Sequence, residues 1–74
     1  MANIEVKKVE EQLNHRVLFS VRATADTGQM EFPIGIQHQG SAAANEVAVL
    51  TSTLGFAEEL AASARLRLGA RTRR

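Results

Sequence analysis

The sequence predicts an α+β fold: a three-stranded antiparallel β-meander followed by one long C-terminal α-helix packed across one face (βββα). Within residues 1–40, apolar and polar side chains alternate with a period of two, as they do in half-buried strands. Turn-forming residues separate the alternating runs. From Ser41 to Leu68 the apolar residues recur instead at steps of three and four, which is the spacing of one helix face. Because such a face must be buried, we expect the helix to pack on the sheet.

The first strand is predicted from a weak alternation that includes Ile4 and Val6. The alternation slips at Lys8 and Val9, where we expect a β-bulge or the end of the strand. Polar residues with no preference for strands place the first turn at about residues 11–15.

The second strand, Arg16 to Ala23, shows the clearest alternation. Its β-branched and aromatic side chains Val17, Phe19 and Val21 share one face, which we expect to be buried. The following residues, Thr24 to Gly28, have the composition of a turn and predict a hairpin to the third strand.

The third strand, Gln29 to His38, places four apolar side chains on one face: Met30, Phe32, Ile34 and Ile36. Pro33 cannot donate a hydrogen bond to a neighbouring strand, so it predicts an edge strand or a position that faces away from its neighbour. Gly35 indicates a bulge or the close approach of another backbone.

The helix has recognisable end signals. Ser41 is the expected N-cap, and Gly69 is the expected stop after Leu68. Gly55 interrupts the pattern, but the periodicity on both sides predicts one continuous helix. The predicted organisation is a single domain over residues 1–69 and a disordered basic tail over residues 70–74.

Two apolar rows run along this helix. The first row is the longer: Ala43, Val47, Leu50, Leu54, Ala57, Ala61, Ala64 and Leu68. The second row, Val49, Phe56 and Leu60, lies about 120° around the helix from the first. One interpretation is that the sheet curls enough to cover both rows. The other is that the second row faces another subunit or a partner protein, which makes Val49, Phe56 and Leu60 a candidate interface.

The predicted core combines one face of each strand with the first row of the helix. Its members are Ile4, Val6, Val17, Phe19, Val21, Met30, Phe32, Ile34, Ile36, Val47, Leu50, Leu54 and Ala57.

With 74 residues the chain is near the size at which a single hydrophobic core is insufficient for stability. Usual supports are disulfides, a metal or oligomerisation. There is no cysteine, and the two histidines, His15 and His38, are not spaced as a local metal pair. Self-association is the remaining support, and we expect neither a metal nor a cofactor.

Sequence patterns for other functions are weak. No serine lies in a nucleophile motif, and His15 and His38 are expected to be solvated loop residues, so we do not predict an enzyme. Glu58 and Glu59 are adjacent on a helix and diverge by about 100°, so they cannot act as a facing pair. No apolar run is long enough for a membrane span, and the N-terminus lacks the features of a signal peptide. A cytoplasmic location without membrane association is the expectation.

The positive charge is concentrated at the C-terminal end. Five arginines could contact phosphates: Arg65, Arg67, Arg71, Arg73 and Arg74. The chain has no tyrosine or tryptophan that could stack on bases, so a solubilising, helix-capping role is favoured over binding. The leading hypothesis is a non-catalytic protein-interaction module that acts as a homodimer or adaptor. The alternative is a nucleic-acid-associated protein or small regulator that uses these arginines.

Overall fold

The computed structural model describes residues 2–72 and confirms the βββα order. Strands β1 (Asn3–Gln12), β2 (Arg16–Ala25) and β3 (Gly28–Gln37) form one antiparallel sheet in the order β1-β2-β3. Helix α1 (Ala42–Thr72) follows β3 after a short connection. The meander and the long C-terminal helix are therefore as the sequence predicts.

Local irregularities of the sheet follow the sequence closely. The register between β1 and β2 shifts between Lys8 and Glu10, which confirms a bulge at the predicted position. Asn14 and His15 both have positive φ, 63° and 60°, in the tight turn that leads into β2. The carbonyl oxygen of His15 accepts a hydrogen bond from the backbone N–H of His38 at 2.7 Å. This bond fixes the turn to the end of β3.

Strand β3 lies at an edge of the sheet, as Pro33 predicts. Pro33 pairs with Ser20, and the register between β2 and β3 has no shift from Arg16 to Ala25. The close approach at Gly35 is made by a side chain rather than by a backbone. A Cβ at this position would lie 3.1 Å from Nη2 of Arg16.

Helix α1 is continuous through Gly55, as predicted. Ser41 is its N-cap, because its Oγ accepts a hydrogen bond from the N–H of Ala44 at 3.1 Å. At the other end the prediction is less accurate. The helix continues through Gly69 to Thr72, so residues 70–72 of the predicted tail are helical. Residues 73 and 74 lie outside the described residues.

The core sits between the sheet and the first half of α1. Its buried apolar members are Val17, Phe19, Val21, Ile36 and Val49. Val6, Phe32, Ile34 and Ala48 pack against them and are partly buried. The strand part of the predicted core is confirmed except at Ile4 and Met30, which are 46% and 48% exposed.

The helix part of the predicted core is wrong. Val47, Leu50 and Leu54 of the first row are exposed, by 64%, 38% and 59%, and Ala57 is exposed as well. The sheet instead packs on the side that carries Asn45, Val49 and Thr53, which are 6%, 0% and 7% exposed. Helix α1 is thus rotated by about 120° from the predicted orientation.

Polar side chains that bond locally make this rotation possible. Asn45 Oδ1 accepts a hydrogen bond from the backbone N–H of Gln39 at 2.7 Å, which holds the first turn of α1 against the preceding connection. The Thr53 hydroxyl donates to the carbonyl oxygen of Val49 at 2.8 Å. Both polar groups are therefore satisfied while buried, and their residues can face the sheet at little cost.

Candidate interaction surface

The second row of α1 is divided between core and surface. Val49 is fully buried within the monomer. The Phe56 ring packs on the Phe32 ring with centroids 5.2 Å apart and a 35° tilt, yet 45% of Phe56 remains exposed. Leu60, one turn further, is also 45% exposed. Of the three residues of the candidate interface, Val49 belongs to the monomer core, while Phe56 and Leu60 keep surface that a partner could contact.

The first row of α1 forms the longest exposed apolar surface of the helix. Its large members Val47, Leu54 and Leu68 are 64%, 59% and 62% exposed, and Leu50 is 38% exposed. The alanines between them are exposed or half-buried. Monomeric soluble proteins rarely leave a continuous apolar surface of this length in water, and such surfaces mark interaction sites.

Helix α1 extends beyond the sheet that supports it. Its 31 residues span about 46 Å, whereas each 10-residue strand spans about 33 Å. Among residues 57–71 no side chain is buried. A helical segment of this length is marginal in water when nothing packs against it. Within residues 2–72, the C-terminal half of α1 therefore adds no residue to the buried core.

The dimensions of the chain lead to the same conclusion. The radius of gyration is 15.2 Å, against about 11 Å for a compact domain of this length. The accessible surface is 6051 Å², against about 4,500 Å² for a folded monomer of 8.0 kDa. The excess of about 1,500 Å² exceeds the roughly 800 Å² that one partner buries in a standard interface.

The face of the sheet opposite to α1 is polar. Arg22 on β2 lies 3.5 Å from Glu31 on β3 and 3.9 Å from Glu5 on β1, so exposed ion pairs cross all three strands. The exposed ion pair of Lys8 and Glu11 lies on the other face, because Lys8 pairs with Phe19 and Glu11 with Val17. Its hydrogen bond, which Lys8 Nζ donates to Glu11 Oε2 at 3.0 Å, lowers the pKa of the Glu11 carboxyl. The ion pairs of Arg22 are typical of a solvated sheet face rather than a binding site.

The described arginines do not form one surface. Arg65 and Arg67 project from sides of α1 about 160° apart, and Arg71 lies one turn beyond Arg67. Arg73 and Arg74 lie outside the described residues. A phosphate backbone requires cations along one side of the protein, and among these three arginines only Arg67 and Arg71 share a side.

The two histidines lie where loop residues were expected. His15 is exposed in the turn before β2, and His38 is exposed directly after β3, where its Nδ1 accepts a hydrogen bond from the N–H of Gly40 at 2.9 Å. Within residues 2–72, no three metal-ligating side chains are grouped as a metal site. Over the same residues, no helix has the length and hydropathy needed to cross a membrane.

Sequence reasoning missed the roles of Asn45 and Thr53, which face the sheet beside Val49. Because Asn45 and Thr53 are polar, the row that they complete contains fewer apolar residues than the first row. The available signal was their spacing: Asn45, Val49 and Thr53 follow one another at steps of four. Short polar side chains that can bond their own backbone are compatible with such a buried row.

Comparison of the chain with protein-family models, curated proteins and solved structures found no match.

Proposed function

We propose that this protein is a small non-catalytic interaction module that works as a homodimer. The observation that supports the proposal is the exposed first row of α1, which continues into residues 57–71, where no described side chain is buried. Burying each large side chain of this row against a partner would stabilise the complex by about 1.5–3 kcal/mol before entropic costs.

A second copy of the chain is the favoured occupant for two reasons. The chain contains no cysteine for a disulfide, so association is the main remaining way to support so small a core. The excess surface is also larger than the roughly 800 Å² that one chain buries in a stable two-chain contact. An adaptor role, in which a different protein covers the row, is the outcome to be separated by experiment.

The nucleic-acid alternative is not proposed further, because the described arginines point to different sides of α1.

The test is the solution mass of the wild type and of two matched variants. Leu54→Glu places a charge in the first row, whereas Leu66→Glu makes the same change about 120° around the helix from Leu54, at a position that is 75% exposed. Wild type and Leu66→Glu should have twice the monomer mass of 8.0 kDa in sedimentation experiments at tens of micromolar. Leu54→Glu should raise the dissociation constant at least about 100-fold, since each copy loses one apolar contact.

Circular dichroism provides the control for folding, because Leu54 is exposed in the monomer and its replacement should leave the sheet intact. A wild type that remains at 8.0 kDa up to several hundred micromolar would contradict the proposal and leave the adaptor role.

A further inference from the structure

The first row has the spacing of a coiled-coil seam. Its members follow one another at strictly alternating steps of four and three from Ala43 to Leu68, which is a heptad repeat with apolar residues at both core positions. The row is exposed along its length except at the half-buried Ala61, and it lies about 120° from the side that packs on the sheet. A second helix can therefore lie along the row without displacing the sheet.

The order of large and small residues in the row distinguishes the two possible directions of that helix. In an antiparallel pair aligned about the middle of the row, every layer combines one large residue with one alanine. The layers are Ala43 with Leu68, Val47 with Ala64, Leu50 with Ala61 and Leu54 with Ala57, each taken from opposite copies. All layers then have similar width, so the two helices can pack evenly at the close distance that alanine permits.

In a parallel pair, the layers between the two helices would differ in width. Leu50 would face Leu50 of the second copy, and Leu54 would face Leu54. In the stretch that follows, the alanines at 57, 61 and 64 would face their own equivalents. The wide layers would hold the helices apart and leave gaps at the narrow ones, and such gaps reduce stability.

Charge favours the same direction. Glu46 lies in the first turns of α1, and Arg67 lies near its end. Both occupy the heptad position that precedes a core residue, Val47 and Leu68 respectively. Residues at this position face each other across an antiparallel pair, so each Glu46 would meet Arg67 of the other copy. A parallel pair would instead bring the basic C-terminal ends of both helices together, so that Arg65, Arg67 and Arg71 of one copy lie near those of the other and like charges repel.

We propose that the partner is a second copy of this chain whose α1 runs antiparallel along the first row, with Leu54 of each copy against Ala57 of the other and Glu46 against Arg67. This arrangement rests on the proposed homodimer and specifies its geometry. The two-fold axis crosses α1 near Gly55, and both sheets lie on the same side of the helix pair. Leu60, which is 45% exposed in the single chain, then lies beside the sheet of the second copy.

Cysteine crosslinking tests the direction, because the chain has no native cysteine. Two single variants, Val47→Cys and Ala64→Cys, are mixed, allowed to exchange and oxidised with glutathione disulfide. The antiparallel pair predicts a mixed disulfide between the two variants and little crosslinking of either variant alone. A homodisulfide of Val47→Cys alone, or no crosslink in a sample whose reduced mass is that of a dimer, would overturn the geometry while leaving the homodimer intact. A reduced mass of 8.0 kDa would contradict both.

Charge reversal tests the register. Glu46→Arg and Arg67→Glu should each raise the dissociation constant about three- to tenfold, because each places like charges together twice in the dimer. The double variant should return to within about twofold of wild type. Glu59→Arg makes the same charge change at an exposed position on the opposite side of α1 and should cause a smaller change. If the double variant has a dissociation constant no lower than that of either single variant, the pairing of Glu46 with Arg67 is excluded.

Discussion

The two halves of helix α1 have the same apolar period but different surroundings. In the first half, to Phe56, one side packs on the sheet and buries Asn45, Val49 and Thr53. In the second half, residues 57–71, no side chain is buried. The first row runs through both halves and is exposed in each. An apolar period therefore identifies a face that needs a partner, but it does not indicate whether that partner is in the same chain.

The largest expected effect on stability comes from a charge placed in the first half of α1, which packs on the sheet. Val49→Asp should destabilise the fold by more than about 3 kcal/mol, because the carboxylate would be buried in the core without a partner. Urea unfolding followed by circular dichroism measures this change. Val47→Asp, two residues earlier and 64% exposed, is the matched control. It should keep the monomer folded and weaken self-association, and equal loss of folding in both variants would contradict the rotation of α1.

A smaller effect on stability is expected from a substitution at Phe56, where the first half of α1 ends. Phe56→Ala should lower the free energy of unfolding by about 2 kcal/mol, since Phe56 contacts Phe32 but is 45% exposed. Combined with Phe32→Ala in a double-mutant cycle, the coupling between the two rings should be about 0.5–1.5 kcal/mol. A coupling near zero would show that the rings do not stabilise each other.

The smallest effect on stability is expected from a substitution at Gly55, where the two halves of α1 meet. Gly55→Ala should raise the free energy of unfolding by up to about 1 kcal/mol, because alanine favours the helix and a Cβ at this position would have no neighbour within 4 Å. Thermal unfolding followed at 222 nm measures the gain. A loss of stability would indicate that Gly55 is in close contact with a second copy, nearer than the proposed pairing places it.

Much of the fold could be predicted from the sequence because local chemistry determines it. The bulge near Val9, the edge position of the strand that contains Pro33, the N-cap at Ser41 and the continuous helix each depend on a few neighbouring residues. The end of α1 was placed too early, because a glycine such as Gly69 is compatible with a helix as well as with its end.

The rotation of α1 could not be predicted from apolar spacing. It depends on contacts distant in sequence, such as that of Phe56 with Phe32, and on Asn45 and Thr53, whose polar groups are satisfied locally. Because the first row contains more apolar residues, the sequence favoured it for the core. The candidate interface at Val49, Phe56 and Leu60 depends on that interpretation. Because Val47, Leu50 and Leu54 are exposed, we propose the first row as the interface instead.

The most direct test of this account is hydrogen exchange of the α1 amides as a function of protein concentration. At concentrations low enough to give monomer, amides of residues 57–71 should exchange rapidly, while those of residues 46–56 stay protected by the sheet. Raising the concentration until the mass doubles should protect residues 57–71 as well. Rapid exchange in residues 57–71 at every concentration, or simultaneous loss of protection in both halves on dilution, would contradict the claim that the second half depends on a second copy and the first does not.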